Sequence, residues 1–389
     1  MGTETPWDVE SAVRDRYSEG AKAVEPSLCC PVDYDPAYLK AIPQEVLDKD
    51  YGCGDPSRYV HEGETVLDLG SGGGKICFIA SQKVGPLGRV IGVDMNDTML
   101  ALARRYQGAV AEAVGWSNVE FHKGRIQDLR LPVEAWERAL AGRPPADLAA
   151  WQRLEEEAER LRRERPLIGD AGVDVVVSNC VLNLVKGDQK PALFGEIFRV
   201  LRRGGRAVIS DIVGDEEVPE HLQADTALWS GCVSGALTEH GFLKAFEDAG
   251  FHGIRIVKRD ANPWQVVEGI EFRSVTVEAF KGKQGPCLDR NQAVIYKGPW
   301  RSVVDDDGHT LHRGERMAVC DKTYRLYTAE NGPYSRELEG IEPRTAVPLE
   351  QAPAFACDRE ARREARQTKG LDYRENTVAE VCCGPDGRC

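Results

Sequence analysis

The stretch Val66-Leu67-Asp68-Leu69-Gly70-Ser71-Gly72-Gly73-Gly74-Lys75 decides the fold. The first four residues read as a short buried strand, the glycine run as a turn, and Lys75 as the opening of a helix. Glycine tolerates positive φ and lets backbone N–H groups approach a ligand at a helix start. Alone the pattern is weak, since dinucleotide-binding folds use such a turn, although the spacing here is not G-x-G-x-x-G. The next strand, Arg89-Val90-Ile91-Gly92-Val93, ends at Asp94, whose carboxylate can accept both hydroxyls of an adenosine ribose. An NAD enzyme would put an acid there too.

Working outward, strands and helices alternate from Thr65 to about Lys281, the pattern of a parallel sheet covered on both faces. Asn118 to Phe121 reads as a third strand, Val173 to Ser178 as a fourth and Arg206 to Ser210 as a fifth. Pro191 to Arg203 reads as an amphipathic helix stopped by Gly204-Gly205. Ile254 to Lys258 and Arg273 to Phe280 read as two closing strands, the last antiparallel. With Leu201-Arg202-Arg203-Gly204-Gly205-Arg206 before the fifth strand, residues 60–281 resemble the class I S-adenosylmethionine methyltransferases. The resemblance implies an α/β, Rossmann-like sheet with helices on both faces, and S-adenosyl-L-methionine as cofactor. It implies that Gly70, Ser71 and Gly72 approach the methionine end of that cofactor, and that Asp94 and Met95 face its ribose and adenine. Arg125 and Ile126 would face the adenine, with Tyr51, Asp68 and Asn179 completing the expected set.

A boundary is expected near Gly282 to Pro286. The chain then divides into a cysteine-containing segment, 1–59, closing over the site, the methyltransferase domain, 60–281, and a smaller C-terminal domain, 282–389. In the last, Gln292 to Tyr296 and Arg316 to Val319 read as strands, Asp305 to Gly308 as a solvated turn, and Arg359 to Arg366 as a charged helix. His309 and His312 read as surface residues without a metal-ligand framework. Pro132 to Pro166 breaks the rhythm. There Leu148, Trp151, Leu154, Ala158 and Leu161 recur at helical spacing and predict a long amphipathic helix packed on the sheet edge, a lid or partner surface being the alternative.

Lys plus Arg number 50 against 63 Asp plus Glu, and a net charge of -13 argues against a nucleic-acid partner. MGTETPWDVE has no signal-peptide core, Pro6 spoils a myristoylation motif, and no apolar stretch is long enough for a bilayer, so a cytoplasmic protein with no membrane association is expected. In a reducing compartment its 12 cysteines read as ligands or redox groups rather than structural bridges. Cys180 follows the fourth strand, at the carboxyl end where open α/β sheets bind ligands. Cys232, in Leu228-Trp229-Ser230-Gly231-Cys232-Val233, follows the fifth on the same side, and Cys53, in Tyr51-Gly52-Cys53-Gly54, precedes the first. Three soft thiolates in one pocket select a soft centre. Zinc competes, but there is no C-x-x-C spacing and no neighbouring His. Cys77, on the first helix, reads as a small hydrophobe.

The segments YGCG, SNCVLNL, LWSGCVSGAL and GPCLDRNQAVIY, with the ending CCGPDGRC, resemble the arsenite S-adenosylmethionine methyltransferases. That resemblance implies that Cys53, Cys180 and Cys232 bind trivalent arsenic and act in its methylation for detoxification. It further implies that Cys29 or Cys30 takes part in redox cycling, with thioredoxin or glutathione as thiol reductant. Cys382, Cys383 and Cys389 could capture arsenite or form a tail that binds metal incidentally. Two departures stand out: the insertion 132–166 is long for the family, and Gly231 stands where many relatives carry Glu. The alternatives are a methyltransferase for another small molecule or soft metalloid, and a non-catalytic metalloid-binding protein.

Overall fold

The structure, a computed structural model, describes residues 6–23, 25, 32–140, 145–330, 332–357 and 360–377. Cys29, Cys30, Cys382, Cys383 and Cys389 lie outside the described residues. The chain forms two compact units, Met1–Gly282 and Lys283–Cys389, so the described part of the segment before residue 60 packs as part of the first unit.

The first unit holds strands β1 (Thr65–Leu69), β2 (Arg89–Asp94), β3 (Val119–Lys123), β4 (Val173–Asn179) and β5 (Leu201–Gly214). The short β6 (Leu237–Thr238), β7 (His252–Arg259), the short β8 (Gln265–Val267) and β9 (Ile270–Phe280) follow. Their order is β3-β2-β1-β4-β5-β9-β7, parallel through β5, with β9 antiparallel to both β5 and β7. The chain runs outward from β1 to β3 and then returns to lay β4 on the other side of β1. That reversal leaves a crevice beyond the carboxyl ends of β1 and β4, where such sheets take ligands.

Side chains alternate between two cores, as period-2 strands require. Leu67, Leu69 and Val176 meet Leu193, Phe194 and Ile197 of the helix Lys190–Val200 and Phe242 and Phe246 of the helix Glu239–Asp248. Val66, Val175 and Val177 meet Ile76 and Phe78 of the helix Lys75–Val84 and Leu100 and Ala103 of the helix Asp97–Val114. The second of these helices starts cleanly because the Asn96 side chain accepts the N–H groups of Thr98 and Met99, at 3.0 and 3.1 Å. It ends at Gly115, in the left-handed region.

Three expectations need correction. The helix before β5 stops at Val200, not Arg203, and β5 already begins at Leu201. Val173 pairs with Leu201 and Val175 with Arg206, so Arg202–Gly205 bulge out between the two pairings. The glycine pair therefore serves a strand bulge, with Gly204 at φ 83°, and is not a helix stop. The long helix expected in the insertion does form, as Leu148–Glu164, and a shorter one, Val133–Leu140, precedes it, the pair held by Leu131, Val133, Ala158 and Leu161. Leu148 and Trp151, near the start of the long helix, are exposed, and contact with the shorter helix begins at Leu154, whose carbonyl accepts the Trp136 indole N–H at 3.3 Å. In the second unit, residues 360–364 are not helical, and the helix there is Ala365–Lys369 with a Glu364/Gln367 capping box.

The second unit places β10 (Ala293–Tyr296) between β13 (Arg316–Ala318) and β14 (Leu338–Ile341), with β11 (Ser302–Val304) and β12 (Thr310–His312) as a hairpin. Val294, Tyr296, Met317, Tyr324 and Leu338 form its core. His309 is not a surface residue: its ring is largely buried and its Nδ1 pairs with Asp305 at 2.8 Å. Among the described residues no helix is long and apolar enough to cross a membrane.

Phe246 is fully buried and packs edge-on against Phe194 and Phe251, with centroids at 4.9 and 5.4 Å. Phe246→Ala should destabilise the first unit by about 3–5 kcal/mol, seen as a lowered urea midpoint in far-UV circular dichroism. An unchanged midpoint would show that this aromatic cluster does not hold the helices to the sheet.

Candidate functional site

A cavity of about 570 Å³ fills the crevice, and all ten residues expected to meet the cofactor line it: Tyr51, Asp68, Gly70, Ser71, Gly72, Asp94, Met95, Arg125, Ile126 and Asn179. Gly70 sits at φ 73°, and a Cβ there would stand 2.5 Å from Val181, so the turn after β1 admits only glycine. Asp94 ends β2 and accepts N–H groups from Gly72 and Asn96, at 2.8 and 2.7 Å, leaving lone pairs on both oxygens for further donors. Burial pushes its carboxyl up from the ordinary range.

The Ser71 hydroxyl is buried and has no hydrogen-bond partner among the described residues. Buried polar atoms are normally satisfied, so an orphan facing a cavity marks a place for a ligand group. Asp68 is buried too, and burial raises its carboxyl to about 7 although the Cys77 thiol donates to it at 3.2 Å. Cys77 is therefore more than filling: it is the acid's hydrogen-bond partner.

Cys53, Cys180 and Cys232, from three distant parts of the sequence, share one buried cluster. They are 1%, 4% and 4% exposed, so all three thiols are shielded from water. Cys180 is in hydrogen-bond contact with both Cys232 and Cys53, and the same residue lines the cofactor cavity. The Cys232 thiol donates to the Cys180 carbonyl at 3.1 Å. Both Cys180 and Cys232 hold left-handed backbone, φ 62° and 63°, which few non-glycine residues adopt. Such strain collects where a fold must aim a side chain. Contact with Cys232 and Cys53, then burial, pushes the Cys180 thiol well up, and burial chiefly raises Cys53.

Each cysteine is pinned from outside. The Asn179 carboxamide, at the end of β4, accepts the N–H groups of Cys53 and Gly54 at 2.9 and 3.0 Å and donates to the Gly54 carbonyl at 2.7 Å. A Cβ on Gly52 would stand 2.0 Å from that amide nitrogen, which explains the glycine before Cys53. Asn183 donates to the carbonyls of Ile212 and Cys232, at 2.7 and 3.1 Å, fastening the Cys232 loop to the end of β5.

Sequence reasoning missed several neighbours. Asp211, on β5, brings a carboxylate oxygen within 4.8 Å of the Cys53 and Cys180 sulfurs. Burial raises it to about 6, although it accepts N–H groups from Ile212 and Leu182 at 2.8 and 2.9 Å. Lys190, whose ammonium donates to the Gly235 carbonyl at 2.6 Å, is lowered by burial to about 8. Tyr17, on the N-terminal helix Pro6–Gly20, sets its hydroxyl 3.8 Å from the Cys232 sulfur. The same helix is tied down where Arg16 donates to Ser230 and Ala227, and where Asn96 donates to Ser18. No local pattern announces these residues: Asp211 lies in a stretch of β5 buried on both faces, one residue beyond the strand read from the sequence.

A family model described as a methyltransferase domain matches residues 60–250. A second, described as a domain of unknown function (DUF8838), matches residues 283–373. The arsenite methyltransferase of Aquipseudomonas alcaligenes is 31% identical over 79% of this chain and 83% of its own length. The chain belongs to the arsenite methyltransferase family. The mouse arsenite methyltransferase is 30% identical over 73% of this chain and 69% of its own. Among solved structures, an arsenic(III) S-adenosylmethionine methyltransferase from Chlamydomonas reinhardtii matches with a TM-score of 0.53 and 25% identity, over 81% of this chain and 99% of that one. Membership makes the chain an S-adenosylmethionine-dependent methyltransferase, and the cavity fits that cofactor: an orphaned buried hydroxyl, a glycine turn that admits no side chain, and an acid at the end of β2.

Asp68 gives a pH signature for this family member. Its carboxyl is near 7 folded against 3.8 unfolded, so the folded state keeps a proton that the unfolded state loses between those values. The stability it contributes is complete below pH 3.8 and is lost as pH rises through about 7. The stability advantage of Asp68→Asn over the parent should therefore grow from pH 4 to pH 7 and then level, in denaturant titrations of ligand-free protein. A difference independent of pH would mean that Asp68 ionises normally.

Proposed function

We propose that this protein transfers the S-adenosylmethionine methyl group to trivalent arsenic held by Cys53, Cys180 and Cys232, for arsenic detoxification. The observation that carries this reading is the meeting of three buried thiols at Cys180, which belongs at once to the thiol cluster and to the cofactor cavity. Arsenous acid is neutral, and its three hydroxyls leave as three waters as three thiols replace them, so three As–S bonds form and no net proton is released. The thiols of Cys53 and Cys180, kept protonated by their surroundings, suit that exchange.

Bound S-adenosylmethionine supplies a methyl carbon on a sulfonium, already activated toward a lone pair. Ser71, Gly72 and Asp94 would hold the cofactor, and Asn179, which fixes the Cys53 backbone and lines the same cavity, would keep the thiol-bound arsenic beside it. Arsenic on three thiolates keeps a lone pair, so the cysteines present a nucleophile that needs no general base. What the site contributes is chiefly positioning and exclusion of water. Tyr17 and the helix that bears it shield Cys232. Transfer leaves arsenic two electrons short, and two cysteine thiolates return them by closing a disulfide. Cys29 or Cys30 and an external thiol, thioredoxin or glutathione, then reopen it. Such a cycle suits a reducing, cytoplasmic setting.

Serine shares the shape of cysteine and inherits the same backbone strain, so it isolates the thiol. Cys180→Ser and Cys232→Ser should each lower arsenite methylation by ~100-fold or more, since a lost soft ligand is not replaced by a hydroxyl, while S-adenosylmethionine binding persists in calorimetry. Cys77→Ser keeps a donor to Asp68 and should remain active. Chromatographic speciation of arsenic after incubation with a thiol and cofactor reads the outcome. Full methylation by either of the first two variants would overturn the assignment. A protein that protects its thiols with arsenite but forms no methylated product would be a binder only.

A further inference from the structure

A second set of three thiols lies in the C-terminal unit, where neither the fold of the first unit nor the proposed reaction requires any. Cys287, Cys320 and Cys357 bring their sulfurs within 4.8 Å of one another. All three are free thiols, and Cys287 is in hydrogen-bond contact with both of the others. Cys320 is fully buried, while Cys287 and Cys357 are half-buried, so the cluster has a floor and an open side.

The backbone assembles these residues from three separate segments. The Leu288 carbonyl accepts the Asp321 N–H at 2.8 Å, which binds the Cys287 segment to the residue after Cys320. The Cys287 carbonyl accepts the Phe355 N–H at 2.9 Å, and Leu288 bridges Ala354, which brings in the segment of Cys357. Arg290 adds an ion pair to Asp321 at 3.0 Å. The Cys320 sulfur is fixed at the start of the helix Asp321–Tyr327, where it accepts the Thr323 N–H at 3.4 Å. Convergence from distant sequence positions, each held by its own hydrogen bonds, is what a built site requires. Chance proximity of surface thiols does not produce it.

We propose that Cys287, Cys320 and Cys357 form a second binding site for a trivalent, thiol-seeking metalloid, arsenite in the first instance. The choice of ligand rests on the reading of the first site as an arsenic site; the existence of the trithiol does not. Three sulfurs suit a centre that takes three ligands and keeps a lone pair. Structural zinc takes four, and no fourth ligating side chain joins these three among the described residues. Loading balances as at the first site: three S–H and three As–OH bonds break, three As–S bonds form, and three waters leave, with no change of oxidation state.

The test uses the full-length chain, reduced, without cofactor, equilibrated with arsenite and passed through gel filtration before arsenic is measured by mass spectrometry. Cys180→Ser removes the first site. In that background Cys287→Ser and Cys357→Ser, both at half-buried positions and checked for folding by circular dichroism, should each remove about one further arsenic per chain, because a pyramidal site does not survive loss of one of three soft ligands. X-ray absorption of the Cys180→Ser protein should report arsenic bound to sulfur alone. Unchanged arsenic content in both double variants overturns the second site, as does tightly held zinc that arsenite fails to displace. A chain that methylates arsenite but ignores Cys287 and Cys357 in binding defeats only this inference. One that loses arsenic with Cys287 and Cys357 but makes no methylated product defeats only the catalytic reading.

Discussion

The Asn179 carboxamide is the contact on which the first site depends. It stands at the carboxyl end of β4, one residue before Cys180, and it takes both N–H groups of the Cys53–Gly54 turn while donating to the Gly54 carbonyl. One planar group thus fixes the distance between a strand of the central sheet and a loop far away in sequence. Gly52 follows as a consequence, because any side chain there would overlap the amide. Ser274, on β9, completes the restraint by donating to the Cys53 carbonyl at 2.7 Å. A thiol site of this kind costs conformational entropy at every cysteine, and that cost is met in advance by hydrogen bonds to the backbone beside the thiols.

The strained backbone at Cys180 and Cys232 belongs to the same logic. A residue in the left-handed region costs about 1–3 kcal/mol, and glycine would remove that cost at either position along with the sulfur. The fold keeps cysteine at both. The Cys232 carbonyl is held by Asn183, and the Cys180 N–H donates to the Ser210 carbonyl at 2.8 Å, so the strain is over-determined by neighbours. The turns carrying the two thiols are therefore stiff, and bound arsenic would meet sulfurs already facing one another.

Much of the first unit was legible because its signals are local. Gly70 to Gly74 needs only its own φ angles to be read as a turn, and Asp94 only its place at a strand end. The three cysteines were legible as a set because each follows or precedes a strand on the side where this sheet binds ligands. Asp211, Lys190 and Tyr17 were not, since their roles arise from packing between elements remote in sequence. The glycine pair 204–205 was misread because a bulge and a helix stop ask for the same residue. His309 was misread because nothing nearby in sequence foretells that Asp305 will be partly buried beside it. The trithiol of the second unit was invisible for the same reason: its three residues share no spacing, only a bridge between Leu288 and Ala354 and a helix start.

The charge around the first site argues for a neutral guest. Asp211 lies beside Cys53 and Cys180, so a thiolate formed there in the empty site meets both low polarity and a nearby acid. Binding a divalent cation would require those thiols to give up protons first, and that requirement weakens metal capture wherever thiols are held protonated. A neutral trihydroxide makes no such demand, because each departing hydroxyl carries away the proton of the thiol that replaces it. Burial, which penalises the thiolate, thus works against zinc and leaves arsenous acid unaffected. The buried carboxyl of Asp211 is partly offset by the positive charge of the buried Lys190 ammonium. For the proposed reaction, softness of sulfur alone would not separate zinc from arsenic; the protonation of Cys53 and Cys180 would.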